Sequence, residues 1–368
     1  MSEVVEVATE KDLDDFIRFP YSLYAHDPYY IPPLLPELRK QFSRKNPFFL
    51  HAKVRFFLAR INGRQAGRIV SIVNHRHIEF HKERTGFFGF FESLNEQSVA
   101  DALLNRVSEI LKQEGIETLR GPMNFSTNEE CGMLIEGFNL HPALMTPYNP
   151  PYYHHLMETH GMTKAKDLFA YICDIPQQLP EKVLRVAAIA EKSGITVRPV
   201  EKKRFADEMR IFQEVYNSAW EKNWGFIPLT DEELRYLADS LKPIVIPEMT
   251  LVAEKNNEPV GFLGILPDYN FVLKKMRGKV NPLTILKALY YAKRIKLMRL
   301  LLLGIKPHYR NRGVDALLFR EGFRGSLKNG FRRVEFSWIL EDNIPTQRLV
   351  EMIGGELYKK YRIYERKL

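Results

Sequence analysis

Cysteine is nearly missing: Cys131 and Cys173 are the only two in 368 residues, too few for a disulfide framework or a Cys-rich zinc module. Long hydrophobic runs are missing too. The most apolar stretch, Leu297 to Ile305, is short and contains Arg299, well below the roughly 20 apolar residues a membrane span needs. The opening Met1-Ser-Glu-Val-Val-Glu-Val has no basic region leading into an apolar one, so no cleaved signal peptide is expected. Together these features predict a soluble, reduced, cytoplasmic protein. Acid is scarce against base in one long block: from Lys274 to Arg333 there are 17 Lys and Arg but just Asp315 and Glu321. What is present is ordinary for a globular chain, 45% hydrophobic and 27% charged, which excludes disorder as the main state. The length suits two or three domains.

Charge divides the chain unevenly. Residues 1–176 carry 19 Lys and Arg against 22 Asp and Glu, and residues 177–368 carry 35 against 23. A basic block of this kind attracts phosphates, whether on a cofactor, a nucleic acid or an anionic membrane; it also suits a merely solvated face.

An internal repeat organises the sequence. Phe56 to Ile69 reads as a hairpin around Asn62-Gly63, and Thr250 to Leu263 as a second. Ala59 and Gly67 stand eight apart, as do Ala253 and Gly261. Each hairpin leads to a strand and then a helix start, Val99-Ala-Asp-Ala-Leu-Leu104 or Gly313-Val-Asp-Ala-Leu-Leu318. Each helix stops near a glycine, Gly115 or Gly330, before a strand at Thr118–Arg120 or Arg333–Ser337. A later helix and glycine (Gly161; Gly354-Gly355) and a strand bearing Tyr171 or Tyr364 close each half. The order predicts two copies of one mixed α/β (α+β) domain, 1–176 and 177–368, joined at the Pro-rich Asp174–Pro180.

The sharpest local feature is Leu300 to Leu318. A buried strand runs into the basic loop Lys306-Pro-His-Tyr-Arg310-Asn-Arg312-Gly313, which opens an amphipathic helix. A helix start offers unpaired N–H groups and the positive dipole end, and Gly313 lets a ligand approach the backbone. The product is an anion site fitted to a pyrophosphate.

These residues resemble the GNAT superfamily of acyl-CoA-dependent N-acyltransferases. The family's acyl-CoA loop, Arg/Gln-x-x-Gly-x-Gly/Ala, is matched by Arg310-Asn-Arg-Gly313-Val-Asp315, and its next motif by Asn343, Leu349 and Gly354. The whole chain resembles a tandem-domain bacterial GNAT-like family linked to bacterial ceramide synthases. The resemblance implies two GNAT-like mixed-sheet domains in tandem and acetyl-CoA or a longer acyl-CoA as co-substrate. It also implies a pyrophosphate held by the amides of Arg310, Asn311, Arg312, Gly313 and Val314. Pantetheine would lie along the strand that ends at Gly304 and Ile305, with the next strand, Val334–Ser337, splayed away, and Asn343 would serve the cofactor-binding half.

The chain departs from the pattern twice. Asp315 stands at the third glycine-type position, where an acid at a helix start is favourable and reads as structural. The family's general-acid tyrosine falls at Val350, so the acid is sought at Tyr361 or Tyr364. The first half has Glu96-Gln-Ser-Val99 in place of the loop, and is expected to act as scaffold or acceptor site.

Acceptor contacts are sought in polar loops. Asn124, Asn128 and Glu129 lie in a turn-rich stretch after Thr118–Arg120, and Tyr148 in a Pro-rich turn; each also reads as a turn or packing residue. In GNAT-like proteins the connection after the helix Phe205–Ala219 lines the acceptor groove, which makes Glu221, Asn223 and Trp224 candidates, Glu221 for catalysis. The helix beginning at Pro282 pairs an apolar face with Lys287, Lys293 and Arg294, and suits either an anionic bilayer (the inner membrane surface) or ordinary packing. His75, His77 and His81 lack a completing ligand set, and no metal is expected.

The expected function is therefore N-acylation of an amine, with a long-chain sphingoid-type acceptor in view. Two other readings stay open: a catalytically idle GNAT-fold protein binding CoA or lipid, and a nucleic-acid binder, which would explain the basic block alone.

Overall fold

The computed structural model describes residues 2–368. In chain order the elements are β1 (Ser2–Glu6), α1 (Glu10–Leu23), α2 (Leu35–Gln41), β2 (Ala52–Ile61), β3 (Arg64–Asn74), α3 (His75–His81), β4 (Thr85–Ser93), α4 (Gln97–Gln113), β5 (Thr118–Gly121), β6 (Met133–Glu136), α5 (Tyr153–Thr159) and β7 (Thr163–Asp174). There follow α6 (Glu181–Lys192), β8 (Ile195–Pro199), α7 (Phe205–Trp220), α8 (Asp231–Leu241), β9 (Thr250–Lys255), β10 (Glu258–Pro267), α9 (Asn270–Met276) and α10 (Pro282–Ala292). The last elements are β11 (Leu297–Ile305), α11 (Val314–Lys328), β12 (Arg333–Leu340), α12 (Ile344–Met352) and β13 (Glu356–Lys367).

They form two compact units that are not contiguous in sequence. The first comprises residues 1–169, 272–289 and 359–368, and the second 170–271 and 290–358. In the first unit β1 to β4 are antiparallel neighbours, β5 runs parallel to β4, and β13 closes on β5 antiparallel. In the second, β8 to β11 are antiparallel neighbours and β12 runs parallel to β11. Each unit thus holds a mixed sheet, with one parallel pair among the ladders described above, the α/β class expected from the sequence.

The repeat has a physical basis in both units. Asn62-Gly63 and Asn256-Asn257 all have positive φ, the left-handed geometry of a tight hairpin turn. Ala59 pairs with Gly67, and Ala253 with Gly261, across the hairpins they flank. A Cβ on Gly67 would lie 2.8 Å from Leu103 and 3.0 Å from Val99; one on Gly261 would lie 3.0 Å from Val314 and 3.2 Å from Leu318. The glycines let one helix turn, α4 or α11, press onto the strand beneath. Val99 and Leu103 therefore match Val314 and Leu318, one residue out of step with the alignment read from sequence. In the first unit Val99, Leu103, Leu104 and Val107 are fully buried beneath α4, against Phe57, Ala59 and Ile69. Burial of each large side chain contributes roughly 1.5–3 kcal/mol.

Candidate active site

The second unit is built around a parting of two strands. β11 and β12 pair in parallel over Leu297–Leu300 and Arg333–Phe336, and among the described residues that ladder stops there. At the same level β11 is bulged: Ile265 pairs with Leu300 but Gly264 with Leu302, leaving Leu301 as the extra residue. From Leu301 to Ile305 β11 keeps β10 on one side, and its other edge has left β12. Leu301, Leu302 and Leu303 are half-buried.

The edge runs into the basic turn. Gly313 has φ 76° and ψ 12°, caps α11, and supplies no side-chain acceptor to the first-turn N–H groups. By contrast, Thr9 and Thr230 close capping boxes on α1 and α8. A Cβ on Gly313 would sit 2.8 Å from the Val186 carbonyl oxygen and 2.9 Å from Val186 Cγ1. Only glycine fits the close contact with α6. Asn311 also has positive φ, 59°. Asp315 lies in the first turn, where its charge favours the helix start.

The basic side chains divide into tethered and free. Arg310 donates to the Ala219 carbonyl at 2.5 Å, which ties the turn to the end of α7. Lys306 is held by Glu214 at 2.6 Å and Glu258 at 3.1 Å. Those hydrogen bonds raise the lysine pKa against the opposing effect of desolvation. Arg312 is exposed, lies over the Tyr309 ring at 5.5 Å, and among the described residues has no carboxylate against it. Its charge faces solvent beside the turn, as does that of Arg310, whose bond to a neutral carbonyl leaves its charge intact. Gly304 is needed for packing, since a Cβ there would come within 2.4 Å of Trp220.

A buried polar network lies at the parting point, and sequence reading passed over it. Arg299 Nε donates to Ser337 Oγ at 2.8 Å, and Ser337 donates to Glu335 Oε1 at 2.5 Å. Tyr358 hydroxyl donates to Glu335 Oε2. Arg299, Glu335 and Ser337 are buried; Tyr358 is half-buried. The signal was present: a charge inside each of two apolar strands, Arg299 and Glu335.

Of the other residues singled out in this unit, Asn343 caps α12, accepting from Thr346 N at 3.4 Å. Val350 is fully buried, and its Cγ1 lies 2.4 Å from where a Gly355 Cβ would stand. Glu221 is exposed at the end of α7, and Asn223 donates its backbone N–H to Trp220 at 2.7 Å in the turn that also carries Trp224.

The first unit carries its own bulge and its own buried carboxylate. The β3–β4 register slips between Arg68↔Glu92 and Val70↔Gly89, and Phe90 takes φ 49°. Asn124 holds that bulge, accepting from Phe90 N at 2.8 Å and donating to Glu130 at 3.3 Å. Glu129 accepts from Gln41 at 3.3 Å, and the backbone N–H of Asn128 donates to Ser126. Tyr148 donates to Asp27 at 2.8 Å, with its ring 6.0 Å from that of Tyr24. Beyond them lies a group that sequence reading did not select. Glu92 Oε2 accepts from Tyr24 at 2.5 Å and Tyr153 at 2.8 Å, with Arg68 3.5 Å from Oε1. Burial pushes the Glu92 carboxyl up, opposed by Arg68 and the phenol hydrogen bonds. The helix matching α11 is α4, whose N-cap residue is the carboxylate Glu96, where α11 has Gly313 as its own N-cap.

Tyr361 and Tyr364 lie in the first unit, fully buried; burial raises the Tyr364 phenol to about 12. His77 is bound to Glu83 at 2.8 Å, and burial lowers its pKa to about 4. Among the described residues no three His, Cys, Asp or Glu side chains gather as a metal-holding group.

A bulged strand parting from its parallel neighbour, then a glycine turn opening a helix, defines the acyl-CoA N-acyltransferase fold, laid down here in tandem. The chain belongs to the acetyltransferase (GNAT) family, whose pattern matches residues 209–354. It is 34% identical over 365 residues to Protein YghO of Escherichia coli K12, covering 98% of this chain and 94% of that protein. It is 34% identical over 373 residues to the bacterial ceramide synthase of Caulobacter vibrioides, covering 99% and 97%. Among solved structures, a tandem GNAT protein from the clavulanic acid biosynthesis pathway superposes with a TM-score of 0.59 at 12% identity, covering 100% of this chain and 98% of that one. That likeness bears on the fold.

Proposed function

We propose that the protein transfers an acyl group from a CoA thioester to an amine, and that the acceptor is a long-chain, sphingoid-type amine. The observation that carries the transfer is the start of α11 at Gly313, where no side chain of the N-cap takes the first-turn amides, beside the unladdered edge of β11. The pyrophosphate would lie on the first-turn amides with Arg312 beside it, Asn311 and Val314 completing the turn. Pantetheine would run along β11 through Gly304 and Ile305, bringing the thioester carbonyl to the bulge at Leu301. The long-chain acceptor is supported by the name of the Caulobacter relative and by the half-buried leucines of β11.

In the reaction a neutral amine attacks the thioester carbon, a C–N bond forms, the C–S bond breaks, and the thiolate takes a proton. With Val350 in the core and Tyr361 and Tyr364 fully enclosed, we assign that proton to Tyr358, whose hydroxyl is already fixed by Glu335. Glu221 is the candidate to accept the amine's proton. Asn124, Asn128, Glu129, Tyr148, Asn223 and Trp224 are the candidate acceptor contacts.

Titration calorimetry with acetyl-CoA, palmitoyl-CoA and free CoA tests the reading. Binding should weaken at least tenfold in Arg312→Ala, and palmitoyl-CoA with sphinganine should release free thiol. Absence of any thioester binding at millimolar concentration overturns it. Binding without turnover on any amine would favour the idle reading, for which the apolar Val350 is the supporting observation.

A further inference from the structure

Helix α10 is turned inside out. Asn281 caps it, accepting from Thr284 N at 3.0 Å, and Pro282 opens it. Thr284 is its only buried residue. Leu283, Leu286 and Leu289 are 63%, 64% and 63% exposed, and Tyr290 is 56% exposed. Ile285 is exposed as well. At 3.6 residues per turn these five fall in an arc of roughly 160°, centred opposite Thr284. The apolar face therefore looks away from the protein, the reverse of what a surface helix needs for folding. Among the described residues, no packing covers these five large apolar side chains.

The flanks say what covers them. Residues 274–296 carry eight Lys and Arg and no Asp or Glu. Lys275, Arg277, Lys279, Lys287, Lys293 and Arg294 are all exposed. Arg294 lies 3.5 Å over the Tyr290 ring, so a cation borders the apolar arc directly. A second copy of the chain would set one positive patch against another. An anionic surface with an apolar interior satisfies both features, the charges meeting headgroups and the leucines entering the acyl boundary.

We propose that α10 and its basic flanks form a peripheral docking surface for an anionic phospholipid bilayer. The surface stands independently of the acyltransferase reading, because docking needs no acyl-CoA. If both hold, the docked face presents the enzyme to the phase in which a long-chain amine resides.

The test is co-sedimentation of the full-length protein with vesicles of phosphatidylcholine containing 30% phosphatidylglycerol, and with pure phosphatidylcholine vesicles. Binding is expected to the anionic vesicles, at least tenfold stronger than to neutral ones and weakening as salt is raised. Leu286→Glu/Leu289→Glu should lower it at least tenfold with the thermal midpoint unchanged, since both side chains are exposed. Lys287→Gln/Lys293→Gln should lower it roughly 25-fold, about fivefold per charge. Leu50→Glu, which removes an exposed leucine outside this helix, should leave it intact. The proposal is overturned if the wild type binds neither vesicle, or if the leucine pair leaves binding unchanged. It is overturned equally if that pair turns a dimer into a monomer without altering vesicle binding.

Discussion

Gly313→Ala separates two costs that the turn combines. The first is backbone: an L-residue at φ 76° costs about 1–2 kcal/mol. The second is contact, because the new Cβ would stand 2.8 Å from the Val186 carbonyl and force α6 and α11 apart, adding about 1–3 kcal/mol as overpacking does. Gly194→Ala is the matched control, with φ +87° and nothing within 4 Å of its added Cβ. For a unit of this size 1 kcal/mol moves the thermal midpoint by roughly 2–4 °C. The control should therefore drop by roughly 2–8 °C, and Gly313→Ala by several degrees more. Calorimetric unfolding reads the first quantity, and titration with acyl-CoA the second. Affinity should fall at least tenfold in Gly313→Ala alone, because moving the start of α11 misaligns the first-turn amides. Equal midpoints in the two variants, with acyl-CoA affinity unchanged in both, would refute the close contact and the assignment of the turn.

Tyr358→Phe should reduce kcat at least tenfold with acyl-CoA affinity unchanged; an unchanged kcat sinks the acid assignment. Val350→Tyr should not restore an acid: the site is filled against Gly355, so the variant should lose roughly 1–3 kcal/mol of stability with no gain in kcat, measured by thermal unfolding and thiol release. His77 is held neutral by burial, its pKa falling from 6.5 to about 4. Its contribution is complete above pH 6.5 and is lost as pH falls toward 4, where the unfolded chain takes the proton first, up to about 3 kcal/mol in all. The midpoint difference between wild type and His77→Gln should accordingly shrink from pH 7 to pH 4, and a constant difference would contradict the burial argument.

The sequence was most legible where local chemistry decides geometry. Asn62-Gly63 and Asn256-Asn257 announce their hairpins because few residues tolerate positive φ, and α8 begins at Asp231, where its acidic first turn says it should. The Arg310–Gly313 turn was legible for the same reason. What the turn does internally was not: Arg310 also ties the loop to the Ala219 carbonyl, a contact no motif announces. The networks around Glu335 and Glu92 escaped because each joins residues from distant elements, so that no spacing reports them. The same holds for residues 272–289, which follow a second-unit strand in the chain yet belong to the first unit. There Lys274 bonds the Pro28 carbonyl at 3.1 Å and His141 at 2.7 Å.

The pairing of β5 with β13 imposes an order on biosynthesis. Thr118 and Lys367 meet across 249 residues of chain, and Tyr364 and Arg366 face Gly121 and Leu119 in the same ladder. A ribosome adding about 5–20 residues per second needs roughly 12–50 s to deliver β13 after β5 has emerged. Throughout that interval the first unit holds an open strand edge, while the second unit completes its sheet in between. Slower translation of the second half lengthens the time for which that edge is open to pairing with another chain.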